Sequence, residues 1–110
     1  MKNFCGGVFT DIDDFKKFCS EGKIRWTTHG LARLQGRDIS VADVKNCIMN
    51  GKIIEEYPTD FPHPSALIYG KTLSEKIIHV VCGIDENILY LVTAYYPTTE
   101  KFFEDLRTRR

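Results

Sequence analysis

Ile77-Ile78-His79-Val80-Val81-Cys82-Gly83-Ile84-Asp85-Glu86-Asn87-Ile88-Leu89-Tyr90-Leu91-Val92-Thr93-Ala94-Tyr95-Tyr96 decides the fold of this chain. Two runs rich in β-branched and aromatic residues flank Asp85-Glu86-Asn87, a short polar break of turn-forming type. The pattern predicts two strands, 77–84 and 88–96, joined as an antiparallel hairpin. With Ile84 set opposite Ile88, His79 falls opposite Thr93 and Ile77 opposite Tyr95. One face then carries Ile77, His79, Val81, Leu89, Leu91, Thr93 and Tyr95. The other carries Ile78, Val80, Cys82, Ile84, Ile88, Tyr90, Val92, Ala94 and Tyr96. The second face is the more apolar and is expected to pack against helices. The first gathers His79, Thr93 and Tyr95 near one end, where they can meet a ligand.

Upstream, 52–57 and 65–69 read as two further strands. Between them lie Pro58, Pro62 and Pro64, a loop that no central strand tolerates. Helical patterns come first in the chain. Residues 11–21 carry Ile12, Phe15, Phe18 and Cys19 at helical spacing, with Asp11 as N-cap, Asp14 three residues on, and Gly22 as the stop. Residues 23–27 are extended, with Trp26 as an anchor to the core. A helix over 28–36 ends at Gly36. Another begins at the Ser40 cap, with Asp43 completing a capping box, and runs to Asn50 on a stripe of Val41, Val44, Cys47 and Ile48. Residues 100–107, with Phe102, Phe103 and Leu106, read as a final short helix. The order predicts an α+β fold: N-terminal helices, a four-stranded mainly antiparallel sheet, and a short C-terminal helix.

The length of 110 residues suggests one domain, and 43% hydrophobic with 27% charged residues is ordinary for a globular protein. No apolar run suits a membrane span. Acids occupy the first fifteen residues where a secretion signal needs an apolar stretch, which points to the cytoplasm. Cys5, Cys19, Cys47 and Cys82 form no Cys-x-x-Cys pair, and no acidic cluster suits magnesium, so neither metal nor cofactor is expected. Cys47 and Cys82 fall in apolar patterns and are expected to be buried, Cys5 and Cys19 more exposed.

The formal net charge is zero, which argues against broad, non-specific nucleic-acid binding. Charge is unevenly spread, however. Residues 22–37 hold Lys23, Arg25, Arg33 and Arg37 and no acid. Within that stretch His29, Arg33 and Arg37 recur at steps of four, so His29 and Arg33 share one helical face, with Leu31 and Leu34 turned the other way. An imidazole moves protons near neutral pH, and guanidiniums hold phosphate oxygens in a fork. Joined by His79 from the sheet, the set suits phosphodiester chemistry.

His29, Arg33, Arg37, Ile39 and Ser40, then Gly51-Lys52-Ile53-Ile54-Glu55-Glu56-Tyr57-Pro58, Pro64-Ser65-Ala66-Leu67 with Gly70, His79-Val80-Val81 and Tyr95-Tyr96-Pro97 occur in this order. The ordered set resembles the bacterial domain of unknown function 4258 family over about 24–97. Two departures are Ala32, where the family often has Glu, and Asp38, where Gly is usual. The resemblance implies a RelE-like toxin fold and kinship with metal-independent ribonuclease toxins, including MqsR-type systems. It also implies a cognate antitoxin partner of zinc-finger type. On that basis His29 and His79 are expected to transfer protons, in either order, during attack of an RNA 2′-hydroxyl. Arg33 and Arg37 are expected to stabilise the phosphate charge, and Tyr95, Thr93 and Arg25 to contact the RNA.

A competing reading keeps the fold and removes the catalysis, leaving a protein- or RNA-binding module. There His29 bonds backbone at a helix start, and His79 is a strand histidine satisfied within the fold. Arg33 and Arg37 then latch onto Glu55, Glu56 or Asp60, and His63 merely decorates the surface.

Overall fold

The computed structural model describes residues 11–59, 63–100 and 106–109. Helices α1 (Ile12–Ser20), α2 (Thr28–Gly36) and α3 (Val41–Asn50) cover one face of a sheet. The strands are β1 (Ile24–Arg25), β2 (Lys52–Tyr57), β3 (Ser65–Lys71), β4 (Ile77–Asp85) and β5 (Ile88–Tyr95). Their order across the sheet is β1-β5-β4-β3-β2. Every neighbouring pair is antiparallel except β1 with β5.

The sheet is therefore five-stranded and mixed, not four-stranded. The extra strand is two residues long, too short to leave a periodicity. It lies parallel to β5 with Ile24 opposite Leu89, and Leu89 N–H donates to the Lys23 carbonyl at 2.9 Å. Placing β1 there shields part of an otherwise open edge.

The helix stops have different physical causes. Gly22 (φ +74°) ends α1 in a left-handed turn, with Lys23 N–H donating to the Phe18 carbonyl. α2 ends the same way but not by its glycine. Asp38, at φ +60°, takes the left-handed position. Asp38 N–H donates to Gln35 O and Ile39 N–H to Leu34 O, while Leu34 and Ile39 are both buried. This hydrogen-bond pair and its apolar contact form a Schellman motif. Gly51, after α3, is extended and is required by close packing instead. A Cβ there would meet the Cys47 and Tyr69 carbonyl oxygens at 2.4 Å. The expected capping box of α3 is present, Ser40 and Asp43 exchanging bonds of 3.0 Å.

The β4–β5 register differs from the expected one in two steps. The hairpin loop has two residues, because Glu86 (φ +53°) and Asn87 (φ +67°) both adopt the left-handed conformation that a tight hairpin turn requires. Asp85 thus pairs with Ile88, and Cys82 with Leu91. A bulge between Val81 and Cys82 then restores parity, so that Val81 faces Thr93 and His79 faces Tyr95. As a result Leu89 and Leu91, expected on the His79 face, lie in the core beneath the helices with Ile78, Val80, Cys82 and Ala94. Val92 is exposed.

The helix-side core also takes Phe15, Phe18, Leu34, Val44, Cys47 and Ile48, with Trp26 packed against it. Each fully buried side chain of this size contributes about 1.5–3 kcal/mol. Cys19 is buried as well, contrary to expectation, because it lies on the inward stripe of α1. α2 seats through Gly30 and Leu34, and Leu31 is exposed. A second, smaller cluster lies on the helix-free face. Leu67 and Val81 form it, with Ile54, Tyr57, Tyr95 and Leu106 against them. Cys5, Asp60, Phe102 and Phe103 lie outside the described residues. So does most of the expected helix over 100–107; its described Leu106 and Arg107 are not helical.

Candidate functional site

Antiparallel pairing carries side chains in rows across the helix-free face. One row is Tyr69, His79 and Tyr95, from β3, β4 and β5. The His79 ring lies 5.5 Å from that of Tyr95, edge to face, and 6.1 Å from that of Tyr69. The next rows bring in Val81 with Thr93, and Glu55 with Leu67. Residues 106–109 lie over this face. His79 is fully buried, and its Nε2 is 2.7 Å from the Leu106 carbonyl oxygen. A carbonyl only accepts, so Nε2 carries the proton. Burial holds the His79 pKa below the usual imidazole value, while the Leu106 carbonyl and the Glu55 charge pull it upward. His79 is thus a neutral donor at neutral pH.

Glu55 is the focus of the same face. Arg109 grips it in a two-pronged fork, Nε to Oε2 at 3.0 Å and Nη2 to Oε1 at 3.0 Å. The Tyr57 hydroxyl donates to Oε1. The Arg109 bond is the main cause that lowers the Glu55 pKa; burial opposes it and the Tyr57 bond supports it. Tyr57 is pushed well above its usual value by burial first, then by the Glu55 bond and charge. Arg107 stacks over Tyr69, 5.1 Å from the ring centre.

At the C-terminal end of β5 an open groove of about 640 Å³ joins this face to α2. Arg33, Arg37, Thr93, Tyr95, Tyr96 and Arg109 line it, with Glu100 as the acid among them. Arg37 reaches the strand because the Schellman turn ends the helix beside it. Its Nη1 donates to Thr93 Oγ1 at 3.0 Å and to the Ala94 carbonyl at 2.8 Å. The Tyr96 hydroxyl bonds the Asp38 carbonyl at 3.0 Å, fixing the same turn.

The structure thus gathers Arg33, Arg37, Thr93 and Tyr95 at one groove, with His79 beneath Tyr95. His29 is exposed near the start of α2 and is not among the groove's lining residues. Arg25 is five register positions away along β5, opposite Tyr90, where it pairs with Asp85 at 3.6 Å and lies 5.7 Å from the Tyr90 ring centre. His63 is not mere decoration, since its Nε2 is 3.1 Å from Asp85 and its ring 5.6 Å from Tyr90.

Sequence reading missed the Glu55–Tyr57–Arg109 cluster. The non-catalytic reading offered Glu55, Glu56 or Asp60 as partners for Arg33 and Arg37, whereas the fork on Glu55 comes from Arg109. The available signal was the i, i+2 spacing of Glu55 and Tyr57 on one strand face. Among the described residues no three His, Cys, Asp or Glu side chains come together in a way that could hold a metal ion, and no helix is long and apolar enough to cross a membrane.

Residues 26–96 match the family described as Domain of unknown function (DUF4258). The match contains Glu55, Tyr57, His79 and Tyr95; residues 106–109 lie beyond it. No curated protein and no solved structure matches the chain significantly.

Proposed function

The chain belongs to the DUF4258 family, and we propose that it binds single-stranded RNA at the groove and cuts it without a metal ion. One observation carries this reading: Arg33 and Arg37 at the end of α2, Tyr95 and Tyr96 at the end of β5, and Arg109 meet at one open groove. Guanidiniums neutralise and orient phosphates, and aromatic rings stack unpaired bases.

In the proposed reaction Arg33 and Arg37 hold the scissile phosphate and stabilise the charge that develops when the ribose 2′-hydroxyl attacks it. His79 and His29 transfer the two protons, one from the 2′-hydroxyl and one to the leaving 5′-oxygen. His29 is the available second imidazole, because His63 is engaged with Asp85. His79 meets substrate only when Leu106 lifts from it. Arg25 and Thr93 contact flanking RNA. Kinship with RelE-type toxins, a bacterial cytoplasmic setting and pairing with a zinc-finger antitoxin belong to the same proposal, resting on the family-like residues.

A second reading is favoured by the complete burial of His79: an RNA-binding module without turnover. Incubating the protein with single-stranded RNA in EDTA separates the two. Cleavage leaving 2′,3′-cyclic phosphate ends, lost in His79→Ala and Arg33→Ala, supports the enzyme. Binding without cleavage supports the module. Neither binding nor cleavage refutes both.

A further inference from the structure

The Glu55 carboxylate holds two parallel N–H donors in one plane, with aromatic side chains beside it. In this conformation those donors are Nε and Nη2 of Arg109, each 3.0 Å from a carboxylate oxygen. Guanine presents the same pattern. Its N1–H and N2–H₂ lie side by side on the Watson–Crick edge, as part of a guanidine unit fused into the ring. Adenine sets one donor beside an acceptor nitrogen that a carboxylate repels. Cytosine likewise has one donor beside an acceptor, and uracil a single donor between two carbonyls. A bidentate carboxylate therefore selects guanine among the four bases, as forked contacts select bases elsewhere.

We infer that Glu55, steadied by Tyr57, is a guanine-reading notch for single-stranded RNA, and that Arg109 occupies it until RNA enters. The inference rests on the RNA-binding reading above and adds a base preference to it. Three observations support it independently of the α2 arginines. Tyr57 fixes one carboxylate oxygen, so the acceptor pair is preorganised. Tyr95 and Arg109 also line the groove, so a base leaving the phosphate-binding end reaches the notch along one surface. The occupying segment carries local backbone strain and exposure: Leu106 sits at φ +57°, unfavourable for a leucine, and the Arg109 side chain is 47% exposed. The notch lies inside the family-matching region and its occupant outside it.

The test uses the full-length protein and fluorescein-labelled tetranucleotides UUGU, UUAU and UUIU, followed by anisotropy. Inosine keeps N1–H and lacks the N2 amino group. The inference predicts that UUGU binds at least about tenfold more tightly than UUAU, with UUIU between them. Arg109→Ala, which also takes one cation from the groove, should raise the ratio of UUGU to UUAU affinity. Glu55→Gln, which cannot accept both bonds, should bring UUGU down to UUAU. If all three bind equally, the notch is refuted and RNA binding stands. If none binds, even to Arg109→Ala, RNA binding falls and the notch with it. If Arg109→Ala lowers thermal stability and leaves the guanine-to-adenine ratio unchanged, Glu55–Arg109 is only a latch. Should Glu55→Gln fail to fold, the inosine comparison on the wild-type protein decides.

Discussion

Acidifying the protein from pH 7.5 to pH 5 titrates one buried imidazole out of balance. His79 is fully buried and donates from Nε2 to the Leu106 carbonyl, and burial is the main cause that lowers its pKa. In the unfolded chain the same side chain has the ordinary value near 6.5. Below that value the unfolded state binds a proton that the folded state refuses, so acid favours unfolding. Stability therefore declines as pH falls through about 6.5, and the loss levels off once the folded pKa is passed. The steepest slope one such group can cause is about 1.4 kcal/mol per pH unit. The lowered carboxylates Glu55 and Asp43 act in a more acidic window; their stabilisation is lost as pH falls below the unfolded carboxylate range. Urea denaturation followed by fluorescence of Trp26, the single tryptophan, reads the slope. His79→Gln keeps an amide donor for Leu106 and does not titrate, so its slope over pH 5–6.5 should be much flatter. An equal slope in wild type and variant, or a wild type that gains stability in acid, refutes the assignment of His79 as a buried neutral donor.

Three further outcomes follow from the packing. Arg37→Ala removes the two bonds to Thr93 and Ala94 and should cost about 1–2 kcal/mol, measurable in the same denaturation experiment. Gly51→Ala forces a Cβ to within 2.4 Å of two backbone carbonyls and should lose about 3 kcal/mol, seen as a fall in melting temperature. Burial pushes the Cys47 thiol up to about 12, so at pH 8 it should resist a disulfide reagent until urea unfolds the chain.

The helices and the antiparallel strands were legible because each leaves a local mark. Examples are the Ser40–Asp43 capping box, the stripe of Val44, Cys47 and Ile48, and the hairpin around Glu86-Asn87. What escaped depended on pairing rather than periodicity. A two-residue β1 carries no pattern, and a turn shortened by one residue with a bulge at Val92 moved Leu89 and Leu91 to the opposite face. At the site, Arg33, Arg37, Thr93 and Tyr95 were readable as a basic and aromatic set, since helix spacing and strand alternation place them. The Arg109–Glu55 fork was not. It joins residues 54 positions apart, and several arginines competed for the same acid. Burial of His79 beneath Leu106 was equally non-local, although its place among Ile78, Val80 and Val81 marked it as an inward strand position.

The claim that the groove holds RNA phosphates is tested most directly by the salt dependence of RNA binding. An unstructured, fluorescein-labelled RNA oligomer is titrated with wild-type protein between 50 and 200 mM salt, conditions in which each neutralised phosphate of a single strand contributes about −0.7 to the log–log slope. Contacts from Arg33 and Arg37 predict a slope of about −1.4 or steeper, and loss of one unit of about 0.7 in Arg33→Ala. No binding at the lowest salt, or a slope and affinity unchanged by Arg33→Ala, contradicts the account.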